Sequence, residues 1–335
     1  MRIASFNLEN LDDRAGLEPP LADRIEILRP QLVRLRADIL CLQEVNAQRP
    51  PPENGGGGGG GGGPQPRIFS ALDKLLAGTE YETFHRAASE SSDGHGPMDV
   101  QNLVIVSRLP LAWHRQYWHD LAPPPETEMA TAEPRDETRH KIRWDRPVLH
   151  GAVQLPDDRL LHLFNLHLRA PLAAFIPGQK EAPFVWKTVP GWAEGFYLAA
   201  MKRTGQALET RMAVDRIFDS DPQALILVCG DMNAEAREIP LRILRGEEED
   251  TGNGALAGRV LVPLERAVPE SLRFTTLHAG QKLMIDHLLA SRALTAHVTG
   301  AEIHNEALED EVAGYALVHK SPESYHAPVV AEFDL

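Results

Sequence analysis

The sequence predicts a mixed α/β protein, of the α/β or α+β class, in which helices cover mixed β-sheets. Short apolar runs typical of strands recur along the chain, and some follow one another directly while helical patterns separate others. The 335 residues are 43% hydrophobic and 24% charged, which is enough apolar material for a substantial core. No internal repeat recurs at a fixed period, so a single domain over residues 1–335 is the simplest organisation.

The first elements deliver a carboxylate to a strand end. Residues 2–7 alternate in character and predict a short strand. Apolar residues recur at helical spacing over 25–35, although Pro30 should kink or delay that helix. The apolar run 39–42 predicts a buried strand that ends at Glu44.

A glycine run over residues 55–63, flanked by prolines, predicts a flexible surface loop at 49–66. Ordering such a run would be entropically costly. A phosphate-binding loop is not favoured, because the required Lys with Ser or Thr is absent from this segment. Helical periodicity resumes over 68–76, so the run is interpreted as an insertion rather than a domain boundary.

The rest of the chain continues this alternation of strands and helices. A helix is clearest over residues 193–218. Two long segments rich in proline, 119–147 and 169–191, exceed normal connection lengths and are candidates for substrate-facing loops. Further strands are predicted at 103–106, 148–155, 160–168, 224–228, 284–289 and 329–333.

The net charge and the cysteine content indicate which kinds of binding partner and which cellular compartment to expect. The formal net charge is 34 − 48 = −14, which disfavours a broad basic surface for nucleic acid, so a polyanionic substrate must be met locally. Cys41 and Cys229 lie in apolar runs and predict no disulfide framework, which favours a reducing compartment. Neither a signal peptide nor a run of about 20 apolar residues is found, so we expect a cytoplasmic protein without stable membrane insertion. No protein partner is predicted.

Polar residues follow the predicted strands, and this placement is the main functional signal. Strand ends at one edge of a sheet can bring distant side chains together without disturbing the core. The polar positions are Asn7, Gln43 with Glu44, Asn165 with His167, Asp231 with Asn233, Asp286 with His287, and His326 before the last strand.

The segment LILVCGDMNAE carries the sharpest local pattern. Gly230 permits a tight turn, and alternation points Asp231 and Asn233 to the same side. The carboxylate could accept a proton from water or bind a cation, and Asn233 could contact a phosphate or orient the nucleophile. An Asx-turn that only caps the strand explains the same residues.

The other acids and imidazoles also have two interpretations each. Glu44 suits a hard divalent cation, which needs only one or two protein carboxylates, but it could be a solvated strand end. His326 could be structural, or Asp286 could fix its tautomer and raise its basicity. Alternation turns His162 away from His167, and no zinc-site spacing is present.

Taken in order, six segments resemble the endonuclease/exonuclease/phosphatase family, which includes deoxyribonuclease I, exonuclease III, neutral sphingomyelinases and inositol polyphosphate 5-phosphatases. The segments are ASFNLEN, DILCLQEV, NLHL, GDMNAE, IDHLLAS and SYHAPVVAEF, which span nearly the whole chain. The resemblance implies a four-layer sandwich, with two mixed sheets packed face to face and helices outside. It also implies hydrolysis of phosphate esters with Mg²⁺ or Mn²⁺.

The resemblance also implies roles for individual residues. Glu44 matches the metal ligand, with Asn7 beside it binding metal-associated water or phosphate. Asp231 matches the carboxylate that activates or positions water, and Asn233 its phosphate-binding partner. The remaining matches are Asp286, which orients His326; His167, which is in the form seen in the deoxyribonuclease I and sphingomyelinase branches; and Asn102, a candidate phosphate contact.

Tyr325 departs from the family pattern, which usually has Asp immediately before the last histidine. A phenol is neutral at pH 7, so the site loses roughly one negative charge. Metal affinity could fall, a one-metal mechanism could result, or another carboxylate could substitute. Alternatively, Tyr325 could donate a hydrogen bond to the substrate phosphate.

These residues predict a metal-dependent phosphoesterase, with a phosphodiesterase or nuclease favoured. Residues 175–192 interleave aromatic and basic side chains that could stack the bases of single-stranded nucleic acid, touch a lipid surface or pack as a flap. A phospholipid or inositol-phosphate phosphoesterase is the first alternative. A non-catalytic binding module, weakened by Tyr325, is the second.

Overall fold

The computed structural model describes residues 1–50, 65–312 and 321–335. The loop predicted at 49–66 therefore lies, for residues 51–64, outside the described residues. The strands are β1 Arg2–Leu11, β2 Ile39–Val45, β3 His85–Ala88, β4 Asn102–Ser107, β5 Leu111–Tyr117, β6 Glu126–Thr127, β7 His140–Lys141, β8 Val148–Gln154, β9 Leu160–His167, β10 Lys180–Ala182, β11 Val185–Trp186, β12 Leu225–Asp231, β13 Leu261–Pro263, β14 Thr276–His278, β15 Gln281–Leu283, β16 Asp286–Ser291, β17 Val298–Ile303 and β18 Val329–Phe333. The α-helices are α1 Leu21–Leu35, α2 Ser70–Leu76, α3 Val189–Ser220, α4 Ile239–Arg245, α5 Glu248–Thr251 and α6 Arg292–Thr295.

Two six-stranded mixed sheets form the centre of the molecule and share one plan. The first sheet has the strand order β17-β18-β1-β2-β4-β3, and the second has β13-β16-β12-β9-β8-β5. In each sheet the central pair is parallel, β1 with β2 and β12 with β9. Every other pairing in the two sheets is antiparallel.

Strand alternation explains how the layers stack. On β2, Ile39 and Cys41 belong to the core between the sheets, whereas Leu40 and Leu42 pack with the apolar faces of α1 and α2. On the second sheet, the outer face packs with α3 and α4. The predicted four-layer sandwich is therefore confirmed.

Two local expectations need correction. The first helix is not delayed by Pro30, because it begins at Leu21 and runs through the proline to Leu35. Its buried leucines hold it against the first sheet, so packing outweighs the lost backbone hydrogen bond. The long segments 119–147 and 169–191 are not structureless, since they contain the hairpins β6–β7 and β10–β11.

None of the described helices combines the length and the apolar character that crossing a bilayer would require.

Candidate active site

The register of the second sheet places three predicted site residues side by side. Asp231, at the end of β12, pairs with His167 on β9 and with Asp286 on β16. Since directly paired residues point to the same face of a sheet, their side chains project into one region. Residues that are distant in sequence therefore meet at this edge.

The first sheet brings Asn7 and Glu44 to the same place. The Nδ2 atom of Asn7 donates to Glu44 Oε1 at 3.2 Å and, across the sandwich, to Asp231 Oδ2 at 3.0 Å. Glu44 has a left-handed backbone, with φ of 57°, and its Oε2 accepts from the backbone N–H of Asn10 at 3.0 Å. The two sheets thus share one carboxylate centre.

The amide orientation of Asn7 differs from that of an oxygen ligand. Its Oδ1 accepts from the backbone N–H of Glu9 at 2.8 Å, which leaves the NH₂ group facing the carboxylates. In this geometry Asn7 holds Glu44 and Asp231 in place.

Asp231 is buried among other acids, and this changes its protonation. Burial raises the pKa of Asp231 to about 7, and the adjacent Asp286 carboxylate adds to the rise. The predicted tight turn at Gly230 is not found, because Gly230 lies within β12; its φ is 130°, and a Cβ atom there would lie 2.0 Å from Leu166 O. Only glycine fits this approach between β12 and β9.

His326 and Asp286 form a hydrogen-bonded pair next to Asp231. Nδ1 of His326 lies 2.9 Å from Asp286 Oδ2, and its Nε2 lies 3.9 Å from Asp231 Oδ2. Burial alone would lower the pKa of His326, but Asp286 and Asp231 outweigh it and raise that pKa well above its usual value. The ring is therefore an imidazolium at neutral pH in the absence of a cation.

His167 is buried in the same centre but in the opposite protonation state. Its Nε2 lies 3.5 Å from Glu44 Oε1 and 3.4 Å from Asp231 Oδ2. Burial, with the nearby Arg146 and His326, holds the pKa of His167 well below its usual range, so the ring is neutral. As alternation predicted, His162 lies on the other face of the strand, where it contacts His150.

Asn233 forms the Asx-turn that the sequence allowed, and a contact of its side chain with phosphate stays a prediction. Its backbone N–H donates to Asp231 Oδ1 at 2.8 Å, which is the bond of an Asx-turn. Its side-chain amide donates to Asp231 Oδ2 at 3.1 Å and to Leu168 O at 3.0 Å. Asn233 therefore orients Asp231 and lies beside it at the site.

Two sets of donor atoms could hold a metal ion. Glu44, His167 and Asp231 each offer an atom within 4.8 Å of the others, and Asp231, Asp286 and His326 do the same. Carboxylate oxygens dominate these sets, which suits a hard divalent cation. Burial, with the neighbouring Asp286, raises the pKa of Asp231, and His326 only partly opposes that rise.

Asn102 bonds a loop and the end of β2 through its side chain. It is fully buried, and its amide accepts from Met98 N–H at 2.8 Å and donates to the carbonyls of Val45 and Met98, each at 2.9 Å. Its hydrogen-bonding capacity closes a loop against β2. To donate to a phosphate, Asn102 would have to release one of the two bonds that its Nδ2 makes, and that contact stays a prediction.

Three other polar residues at strand ends serve the framework. Asn165 donates from Nδ2 to Leu42 O at 3.0 Å and to Val104 O at 3.1 Å, and it accepts from Gln43 Nε2 at 2.7 Å. These bonds join the two sheets. His287 lies between Glu265 Oε1 at 2.6 Å and Ala234 O at 2.9 Å.

Tyr325 contacts the site through its backbone. Its N–H donates to Glu9 Oε2 at 2.7 Å, while its hydroxyl accepts from the backbone N–H of Ser321 at 3.5 Å. Burial raises the pKa of Glu9, His326 opposes that rise, and Glu44 adds to it. Glu9 is thus a further carboxylate beside the centre that the sequence reasoning missed, although it lies within the quoted segment ASFNLEN.

Arg146 is the second functional residue that the sequence reasoning missed. It is 4% exposed, and within the described part of the chain its Nη1 has no hydrogen-bond partner. Burial lowers its pKa, while Glu44, Asp145 and Asp231 oppose that change. A buried cation facing an acidic centre with an unused donor is suited to an anionic ligand. The only signal in the sequence is a basic residue immediately before a strand.

The aromatic segment after β9 is not packed as a closed flap. Phe184, at the turn of the β10–β11 hairpin, is 89% exposed, and Phe175 and Trp192 are also exposed. Lys180 Nζ lies 4.8 Å from the centre of the Trp186 ring, and Lys187 pairs with Glu133 at 2.5 Å. The segment presents aromatic surface with its charges balanced.

A sequence profile of the "Endonuclease/Exonuclease/phosphatase family" matches residues 4–310. A search of curated protein sequences found no match.

Solved structures with the same fold share little sequence with the chain. A Neisseria 3′ phosphatase, NExo, bound to a product DNA hairpin has 17% identity and a TM-score of 0.54, with all of both chains covered. A Bacteroides thetaiotaomicron mannosyl-6-phosphatase has 14% identity and a TM-score of 0.59, again with full coverage of both chains. Truncated TDP2 from Caenorhabditis elegans has 16% identity and a TM-score of 0.53, covering 99% of this chain and 96% of that one. At these identities the likeness establishes the fold alone.

Proposed function

Since the chain belongs to the endonuclease/exonuclease/phosphatase family and is a phosphoric ester hydrolase, we propose that its substrates are phosphodiesters, cleaved by in-line attack of water. The observation that carries this proposal is the meeting of Glu44, Asp231 and His326 in one buried centre, with the Arg146 guanidinium close enough to act on it electrostatically. The family match and the site shared by both sheets support treating residues 1–335 as one domain.

We assign the divalent cation to Glu44. Asn7 donates a hydrogen bond to this carboxylate and another to Asp231. Glu9 is the nearest candidate to replace the acidic residue that Tyr325 displaces, because its carboxylate accepts from the Tyr325 N–H. When bound, Mg²⁺ or Mn²⁺ supplies positive charge that polarises a phosphoryl oxygen and stabilises negative charge on the leaving oxygen.

The protein's own groups account for the proton movements. Asp231, oriented by Asn7 and Asn233, positions the attacking water and accepts its proton. His326, held by Asp286, is an imidazolium that donates a hydrogen bond to the charged oxygens. Arg146 binds a non-bridging phosphate oxygen through Nη1, which has no partner within the described residues. The neutral His167 is buried next to the Asp231 carboxylate.

The deciding experiment is a hydrolysis screen of phosphodiesters and phosphomonoesters with Mg²⁺ or Mn²⁺, repeated in EDTA. We expect turnover that EDTA abolishes and that Asp231→Asn and His326→Ala reduce by about 10²-fold or more. Equal inertness of the wild type and both variants, with every cation tested, would contradict the proposal and favour a non-catalytic binding module.

Single-stranded nucleic acid is the partner we propose first. The exposed aromatic rings of residues 175–192 could stack bases, and the net charge of −14 argues against extensive duplex binding. Binding of a single-stranded oligonucleotide should weaken steeply as salt is raised. Affinity that does not change with salt would exclude this partner.

A lipid phosphodiester is the second candidate, and one observation favours it. The exposed tip formed by Phe184 and Val185 sits at a hairpin turn, where Lys187 is paired with Glu133 and Lys180 lies over the Trp186 ring. An apolar tip of this kind suits the surface of a neutral membrane. Hydrolysis that requires phosphatidylcholine or sphingomyelin vesicles, and that Phe184→Ser reduces, would support this candidate over nucleic acid.

A cytoplasmic location stays part of the proposal. It is supported by Cys41 and Cys229, which are buried and not linked to each other.

A further inference from the structure

Nη1 of the Arg146 guanidinium has no hydrogen-bond partner within the described residues. The direction in which this side chain points therefore depends on how its backbone is held. An arginine side chain has many rotamers, and fixing one of them costs entropy. The segment that carries it, Trp144–Pro147, lies immediately before β8 and therefore lacks strand pairing of its own. Something outside the second sheet must hold this segment.

Helix α3 holds every residue of Trp144–Pro147. Gln206 Nε2 donates to the carbonyls of Arg146 at 3.1 Å and of Pro147 at 3.2 Å. Glu209 Oε2 accepts from the indole Nε1 of Trp144 at 2.6 Å. These contacts fix the segment from both ends.

Two further contacts join α3 to this segment. Lys202 Nζ lies 2.6 Å from Asp145 Oδ1, and the other oxygen of Asp145 accepts from Arg169 at 3.2 Å. Gly205 lies against the Trp144 ring, where a Cβ atom would come within 2.4 Å of ring carbon. The absence of a side chain at Gly205 is what lets the indole reach Glu209.

The four helix residues, Lys202, Gly205, Gln206 and Glu209, form what we call the α3 platform. Their spacing of three, four and seven places them on one stripe of the helix. Gln206 and Glu209 are almost completely buried, and burying such groups is costly unless their hydrogen bonds are made. Glu209 also accepts from the backbone N–H groups of His119 and Leu121, each at 3.0 Å, so it anchors the preceding loop as well.

We infer that the α3 platform is a positioning element that aims the Arg146 guanidinium at the phosphate group of the substrate. This inference rests on the proposed function, which supplies the phosphate. The platform residues are positioning residues, since their contacts are with segment Trp144–Pro147 and the loop before it. Their effect on hydrolysis should pass through Arg146.

A double-mutant cycle between Gln206→Leu and Arg146→Ala tests this. We expect Gln206→Leu to lower kcat/KM by about 10-fold, mainly through a higher KM, because a mispositioned guanidinium binds phosphate poorly. In the Arg146→Ala background the same change should have little further effect. Leu208→Ala, at an exposed position of the same helix, is the matched control and should behave as the wild type. Full additivity of the two losses would overturn the inference.

A second readout does not depend on turnover. Calorimetry of inorganic phosphate binding in the presence of Mn²⁺ should give a dissociation constant about 10-fold higher for Gln206→Leu than for the wild type. If Gln206→Leu does not fold, Trp144→Phe replaces it, since it keeps an aromatic ring at this position but removes the indole N–H that donates to Glu209.

The two proposals can fail separately. A wild type that binds phosphate but hydrolyses no ester would contradict the proposed function, and the platform would still be judged by phosphate affinity. Unchanged phosphate affinity in Gln206→Leu and Trp144→Phe, or no phosphate binding by the wild type, would overturn the role of the platform.

Discussion

Asn7 and Asp231 are joined by a 3.0 Å hydrogen bond between Nδ2 and Oδ2, although they lie on different sheets and 224 positions apart in the chain. Asn7 also reaches Glu44, so one amide connects the proposed metal ligand with the proposed base. The centre is therefore a seam between the sheets, and its carboxylates are held before any ligand binds.

Glu44→Gln should weaken cation binding and hydrolysis together. The change removes the charge of the proposed ligand while keeping its shape, so we expect Mn²⁺ affinity to fall by at least about 10-fold and turnover by about 10²-fold. Calorimetric titration with Mn²⁺ measures the first effect. Glu249→Gln, at an exposed position, is the matched control, and equal Mn²⁺ affinity in both variants would remove Glu44 from the metal site.

The pH dependence of kcat/KM should have an acidic limb set by Asp231. Because the pKa of Asp231 is about 7 in the metal-free protein, the carboxylate is protonated below that pH and cannot accept a proton. Activity at low Mg²⁺ should rise as pH passes through about 7. Saturating Mg²⁺ should move the limb to lower pH, since a nearby cation favours the ionised carboxylate. A limb that is insensitive to Mg²⁺ would contradict the shared centre.

Stability of the metal-free protein should fall as pH rises. The folded state holds a proton on Asp231 up to a pKa of about 7, whereas the unfolded chain releases it near 3.8, so the loss occurs between these values. His326 acts in the same direction at higher pH, because its raised pKa stabilises the folded state fully below 6.5 and less as pH rises through the folded value. Thermal unfolding in EDTA at pH 5 and pH 8 should show a smaller difference in Asp286→Asn than in the wild type.

Arg146→Ala should raise KM more than it lowers kcat, because the guanidinium is proposed to bind a phosphate oxygen. We expect a loss of about 10²-fold in kcat/KM. Added guanidinium chloride, at concentrations that leave the fold intact, should restore part of the activity of Arg146→Ala and none of that of Glu44→Gln. Steady-state kinetics over a range of guanidinium concentrations checks this, and the absence of any rescue would argue for a structural role.

Asn165→Leu should destabilise the sandwich without removing a catalytic group. In a fully buried position, the change removes the side-chain donor to the carbonyls of Leu42 and Val104 and one of the acceptors of the Gln43 amide. We expect a loss of about 2–4 kcal/mol in the free energy of unfolding. Urea denaturation measures it, with the exposed Gln223→Leu as control, and a loss below about 0.5 kcal/mol would be inconsistent with a structural link between the sheets.

The sequence could predict that the site residues lie close together, because the pattern of apolar runs that predicts strand ends is local. A strand leaves its last residues at a sheet edge, and Glu44, His167, Asp231 and Asp286 each follow or begin an apolar run. The two-residue alternation also placed His162 and His167 on opposite faces. Such periodicity needs no knowledge of tertiary contacts.

Other parts of the fold and site depend on contacts that the sequence does not display. Asn102 begins β4 and Asn7 lies within β1, yet the Asn7 amide bonds the two carboxylates while the Asn102 amide closes a loop. Arg146 became visible only through its burial. The helix through Pro30 forms because its leucines pack on the sheet, and two-residue strands such as β6 are too short to show a pattern.

The two sheets share one strand plan but draw their strands from the chain in different ways. Strands β5, β8, β9, β12, β13 and β16 supply the second sheet from one continuous stretch, whereas the first sheet is closed by both termini, with β18 lying between β17 and β1. The last strand is therefore an interior one, and His326 stands just before it. Removing residues 324–335 would separate β17 from β1 and would also remove the His326 imidazolium. A deletion of similar size at the tip of a hairpin would leave the first sheet and His326 in place.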